Sequence, residues 1–217
     1  MVLVHGLGTS SLYMVPTAER LAADFPVYAP DLPGFGHSSK PSHALGLAAL
    51  AGVLASWMTA AGLDSAAMVG NSLGCQVIAE FGLRHPERLT RAVLQGPTID
   101  GYARTTIRQA GRFVRDLPRE RVPEYFLNTH DYIRTGLRRG WETMQIALAD
   151  RIEDKLPRLS MPVLIVRGAN DPIVSQRWVE ELVMLLPNGR LVITKGAHTP
   201  NFSEPESFAD VVRAFLR

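Results

Sequence analysis

Gly70-Asn71-Ser72-Leu73-Gly74 sets a serine between two glycines, with an apolar stretch at 66–69 before it and a helix-forming stretch at 73–83 after it. A strand that reverses into a helix within two or three residues forces its middle residue into a strained conformation. It also leaves no room for side chains on either flank. Glycines at 70 and 74 meet that demand, and the Ser72 hydroxyl stands exposed at the apex of a nucleophile elbow. The Leu73 amide and the positive end of the helix dipole sit beside that hydroxyl, placed to stabilise a developing oxyanion. The chemistry on offer is attack on a carbonyl. A serine hydroxyl is a weak nucleophile at neutral pH, so it needs a base, and the base needs an orienting carboxylate.

Six histidines compete for the role of base. In open parallel sheets the active residues gather at the carboxyl ends of strands. His43 and His130 fall in irregular or inserted regions, His85 precedes Pro86 at a helix end, and His37 sits in a turn-rich loop. His5 ends a strand, but its neighbour Gly6 suits it to shaping a loop. His198 follows the last strand in Lys195-Gly196-Ala197-His198 and can be delivered back over Ser72, so it is the expected base. For the acid, Asp171 lies just past a strand in Gly168-Ala169-Asn170-Asp171-Pro172, giving the chain order Ser, Asp, His expected of this elbow. Asp100, after the preceding strand, is the competitor.

The elements that must position these residues alternate. Apolar runs at 2–4, 26–29, 66–69, 90–95, 162–167 and 190–194 read as short strands. Stretches at 12–23, 45–61, 73–83, 176–186 and 204–216 read as helices. Short strands alternating with helices predict a mostly parallel sheet covered on both faces. Residues 98–157 break the rhythm with helical stretches and no strand, so they read as an insertion between two sheet strands. Between 101 and 139 they hold nine arginines against Asp116, Glu120, Glu124 and Asp131. A solvated helical face is the plainer reading of that charge, and a surface that steers anionic substrates is the sharper one. Some of Phe113, Tyr125, Phe126, Tyr132, Trp141 and Met144 would line a pocket if the insertion lies over the elbow. With His5 and Gly6, we take Phe126 and Trp141 as candidate pocket residues.

Composition narrows the class. A net charge of +2 does not point to nucleic acid, and no apolar run approaches the ~20 residues needed to span a bilayer. No signal peptide is visible, and the single cysteine, Cys75, excludes an internal disulfide or a cysteine metal cluster, so a reducing cytoplasm is the expected compartment. The histidines show no metal-ligand spacing, and no glycine-rich nucleotide fingerprint follows a strand. We expect no metal and no organic cofactor.

His5-Gly6-Leu7-Gly8, Asp31-Leu32-Pro33-Gly34-Phe35-Gly36-His37-Ser38, the Ser72 elbow and the Asp171 and His198 loops together resemble the α/β-hydrolase superfamily over nearly the whole chain. The resemblance implies a core of residues 1–97 and 158–217 with a helical cap at 98–157. It implies Ser72 as nucleophile, His198 as base, Asp171 as orienter, and the amides of Leu73 and Leu7 as the oxyanion hole. Serine at the apex sets the chain apart from the dehalogenase and epoxide hydrolase branches, which carry aspartate there. The expected activity is hydrolysis of a small carboxylic ester through an acyl-enzyme. The rivals are carbon–carbon cleavage of a vinylogous diketone acid, cofactor-free perhydrolysis, and a non-catalytic receptor or scaffold. Members of the family usually have two further strands before His5. Their absence here would leave the 26–29 strand as an uncovered edge, which predicts pairing with a second copy or reduced stability.

Overall fold

Continuous apolar runs fill the centre of the molecule, successive side chains going to opposite faces of one sheet. The computed structural model describes residues 1–217. Strands β1 (Val2–Val4), β2 (Ala66–Asn71), β3 (Leu89–Gln95), β4 (Val163–Gly168) and β5 (Gly189–Thr194) lie side by side in chain order, every neighbouring pair parallel. Parallel neighbours need crossovers, and helices supply them. Helices α1 (Val15–Leu21) and α2 (Leu47–Ala60) link β1 to β2, and α3 (Leu73–Arg84) links β2 to β3. The insertion between β3 and β4 holds α4 (Thr106–Asp116), α5 (Val122–Thr135), α6 (Leu137–Ala149) and α7 (Ile152–Lys155). Helix α8 (Gln176–Leu185) links β4 to β5, and α9 (Pro200–Ser203) and α10 (Pro205–Leu216) follow β5.

Three layers result. Val4, Met68, Leu94 and Ile165 pack with residues of α2, α3 and α8 on one face of the sheet. Leu3, Val69, Val93 and Val166 pack with residues of α10 and the α1 region on the other. Burying each such side chain stabilises the fold by roughly 1.5–3 kcal/mol, and a one-residue slip of a strand would exchange its two faces. Helix α2 follows the same logic with helical period. Leu47, Leu50, Ala51, Leu54, Ala55 and Met58 are its buried residues, and the chain turns away just after its end at Gly62, where φ is +71°.

The 26–29 segment departs from expectation. It is not a strand. It meets β1 through one parallel bridge, Val2 to Tyr28, with Leu3 N donating to Tyr28 O at 2.8 Å and Tyr28 N to Met1 O at 3.0 Å. Pro26 opens it and Pro30 follows it, and neither has an N–H to extend the ladder. The edge it presents is one residue long.

The insertion inverts the usual pattern. In α5 the buried residues are Glu124, Asn128, Asp131 and Thr135, spaced as one helical face, while Val122, Phe126 and Ile133 are exposed. Helix α4 buries Gln109 and Asp116 and exposes Ile107 and Val114. Its arginines tie it to the core. Arg112 donates to the Ile173 oxygen at 2.6 Å, and Arg139 donates to the backbone oxygens of Pro41 and His43.

Candidate active site

Ser72 has φ +56° and ψ −117°, the only positive φ outside glycine. Such a conformation costs of order 1–3 kcal/mol and persists only where the surroundings enforce it. Here they do. A Cβ at Gly74 would lie 2.3 Å from the carbonyl oxygen of Val4, and one at Gly70 would lie 2.7 Å from Ile78 Cδ1 and from the Gly74 backbone. Helix α3 therefore approaches β1 and β2 closely enough to hold the turn, and Ser72 N donates to Gln95 O at 3.0 Å.

Beyond β5, the buried His198 ring meets Asp171, which lies beyond β4. His198 Nδ1 lies 2.9 Å from Asp171 Oδ2. The other oxygen, Oδ1, accepts from the amides of Ile173 at 2.7 Å and Val174 at 3.0 Å, so the carboxylate is fixed and the Nδ1–H tautomer is selected. Nε2 is left buried with no hydrogen-bond partner. Burial alone would lower the pKa of this ring. The charge and hydrogen bond of Asp171, with further charge from Asp116 and Glu124, outweigh burial and hold it above the ordinary histidine value. Space for the ring comes from Gly96 at the end of β3, where a Cβ would lie 2.8 Å from His198 Cε1.

Asp100, the rival acid, is engaged elsewhere. It accepts from Arg112, from Ser175 N at 2.9 Å and from Tyr102 N at 2.8 Å, and makes no contact with His198. Burial acts to raise its pKa, and these donors more than offset it.

Beneath the serine lies a buried polar network that pattern reading missed. Gly6 N donates to the Tyr13 hydroxyl at 2.8 Å, and that hydroxyl donates to Asn71 Oδ1 at 2.7 Å. Asn71 Nδ2 and Gln95 Nε2 both donate to the His198 carbonyl, at 3.1 and 3.0 Å, and Gln95 also donates to Asn201 Oδ1 at 2.9 Å. Asn201 closes the ring by donating to Tyr13 O at 3.1 Å. The Gly6 loop and the His198 loop are thus joined through the residue before Ser72. A polar side chain at each of two strand ends, Asn71 and Gln95, was the available signal.

His5 is not a pocket residue. Its Nε2 accepts from Leu32 N at 2.9 Å, its Nδ1 meets Gly6 O at 2.8 Å, and burial lowers its pKa, so it is a neutral clasp between two loops. Phe126 and Trp141 are also away from the site, at 67% and 58% exposed on the outer surface of the insertion. Gly6 does line the cavity beside Ser72, as do Leu7 and Leu73. That cavity encloses about 340 Å³. Ile99, Phe113, Met144, Ala147 and Ile173 form much of its wall, and His198, Asp116, Glu120 and Asn128 its polar part. None of the nine arginines reaches it, so they form no anion-steering surface there.

A family model described as alpha/beta hydrolase family matches residues 1–211. The chain belongs to the alpha/beta hydrolase family. It is 26% identical, over 99% of its length and 93% of the relative's, to a pimeloyl-[acyl-carrier protein] methyl ester esterase of Vibrio vulnificus. Among solved structures, a hydrolase from Oleispira antarctica superposes with a TM-score of 0.88 at 15% identity, over 99% of this chain and 89% of that one. The esterase RhEst1 from a Rhodococcus species superposes with a TM-score of 0.78 at 25% identity, over 99% and 89%. No helix here is long and apolar enough to cross a membrane.

Proposed function

We propose that the chain hydrolyses small carboxylic esters through an acyl-enzyme, with Ser72 as nucleophile, His198 as base and Asp171 as its orienter. Ser72 Oγ forms a bond to the ester carbonyl carbon while its proton passes to His198 Nε2. The amides of Leu73 and Leu7 hold the oxyanion. Leu73 opens α3, where the first amides have no acceptor inside the helix, and the Leu7 amide has no acceptor in the protein. As the intermediate collapses, the alkoxy C–O bond breaks and His198 returns its proton to the leaving oxygen. A water activated by the same nitrogen then releases the acid. In this reading the helices of 98–157 act as a cap that closes the cavity over Ser72 and excludes bulk water.

The observation that carries the reading is the His198–Asp171 hydrogen bond, which leaves Nε2 free in a wall that Ser72 shares. Esterase relatives support it. Carbon–carbon cleavage of a diketone acid fits less well, because the cavity offers no cation to a substrate carboxylate. The test is turnover of short p-nitrophenyl esters by Ser72→Ala. Activity should vanish while circular dichroism and Tm stay those of the wild type. Retention of more than a few percent would contradict the assignment.

A further inference from the structure

The insertion brings acceptor oxygens to the cavity that His198 lines, and several of them have no donor. Asp116 and Asn128 line the cavity at 2% and 3% exposed, and Asp116 Oδ1 and Asn128 Oδ1 have no hydrogen-bond partner. Glu120 lines the same wall, half-buried, and Glu124 stands behind it with Oε1 also unpartnered. A buried acceptor left unpaired costs roughly 1–3 kcal/mol, so a wall of several calls for a ligand that brings donors. Burial raises the pKa of both lining carboxyls, Asp116 and Glu120, and no Lys or Arg lines the cavity to offset it, so a ligand bearing a positive charge would hold them ionised.

The position of the wall says which end of the substrate it meets. The acyl carbon must sit at Ser72 and the oxyanion at Leu7 and Leu73, whereas the leaving alcohol must sit beside His198, which protonates it. Asp116, Glu120 and Asn128 line the same cavity as the His198 ring, which puts the wall within reach of the leaving group. We infer that the substrate is an ester whose alcohol half carries a protonated amine, held by Asp116, Glu120 and Asn128, while its acyl half packs on the apolar wall around Phe113, Met144 and Ile173. This rests on the esterase reading of the same site and adds the substrate class.

An isosteric pair tests it. 2-(Dimethylamino)ethyl butyrate and 3-methylbutyl butyrate have the same shape and differ in one protonated nitrogen. At neutral pH the full-length enzyme should favour the amine in kcat/KM by roughly tenfold or more, the scale of one charged hydrogen bond. In Asp116→Asn, and separately in Glu120→Gln at its half-exposed site, the ratio of the two values should fall toward one. Because the ratio is taken within each variant, a general loss of activity does not mimic the result. Equal rates, or a preference for the hydrocarbon ester, would overturn the amine assignment while leaving the esterase reading standing. Failure to cleave either ester, or any p-nitrophenyl ester, would overturn both.

Discussion

Strand β3 and helix α5 send their side chains in opposite senses. In β3 the apolar Ala92, Val93 and Leu94 go inward to the two faces of the sheet, and among its buried residues polarity appears only at the carboxyl end, in Gln95. In α5 the polar Glu124, Asn128, Asp131 and Thr135 go inward, and the apolar Val122, Phe126 and Ile133 meet solvent. The first arrangement is what the hydrophobic effect alone selects. The second persists because the insertion packs over a cavity rather than a core, and contacts such as Arg112 to the Ile173 oxygen and Lys155 to Glu80 fasten it. In the proposed reading the core sets the reacting atoms, and the insertion sets the polarity of the cavity beside them.

The largest effect that bears on this contrast lies in the core. Asp171→Asn replaces an acceptor that serves His198 and two amides at once, so kcat for a p-nitrophenyl ester should fall on the order of 10³- to 10⁴-fold. Asp100→Asn should instead loosen the Arg112 contact, lowering Tm more than kcat. A larger activity loss at Asp100 than at Asp171 would exchange their roles.

Next come two glycine-to-alanine changes with opposite signs. Gly74→Ala drives a methyl into the Val4 carbonyl and should cost about 1–3 kcal/mol or more in denaturant unfolding. Gly111→Ala, in α4 with open space around it, should stabilise the cap by about 0.5–1 kcal/mol through helix propensity. Equal signs would mean that the insertion is packed as tightly as the elbow.

The smallest effect is electrostatic. His198 must be neutral to accept the serine proton, and its pKa is raised, so kcat/KM for a neutral ester should rise with pH through a midpoint above the ordinary 6.5. Asp116 is one of the charges that raises it. Asp116→Asn should therefore move that limb toward lower pH, and a limb that stays in place would remove Asp116 from the neighbourhood of the base.

What could be read from the chain follows the same division. The elbow, the placing of Asp171 and His198 beyond strand ends and the parallel sheet were legible because a tight strand-to-helix turn and short apolar runs alternating with helices leave marks in local sequence. The alternative acid, Asp100, could be set aside only once Arg112, twelve residues on, was seen to engage it. Residues 26–29 looked like a strand from their apolar content, but flanking prolines limit them to one bridge. Phe126 and Trp141 misled for a deeper reason. Helical spacing reveals which residues share a face, while the direction of that face depends on what lies beneath it. Over a cavity it turned Phe126 and Trp141 out and Asp116 and Asn128 in. Tyr13, Gln95 and Asn201 escaped notice because their hydrogen bonds span long stretches of chain.

The central claim is that Ser72 becomes covalently acylated under the action of His198. A fluorophosphonate, which phosphonylates an activated serine with loss of fluoride, examines it directly by intact mass and peptide mapping. One adduct per chain is expected, on the peptide containing Ser72, lost in Ser72→Ala and greatly slowed in His198→Ala. An adduct on another residue, or unchanged labelling of the Ser72→Ala protein, would contradict it.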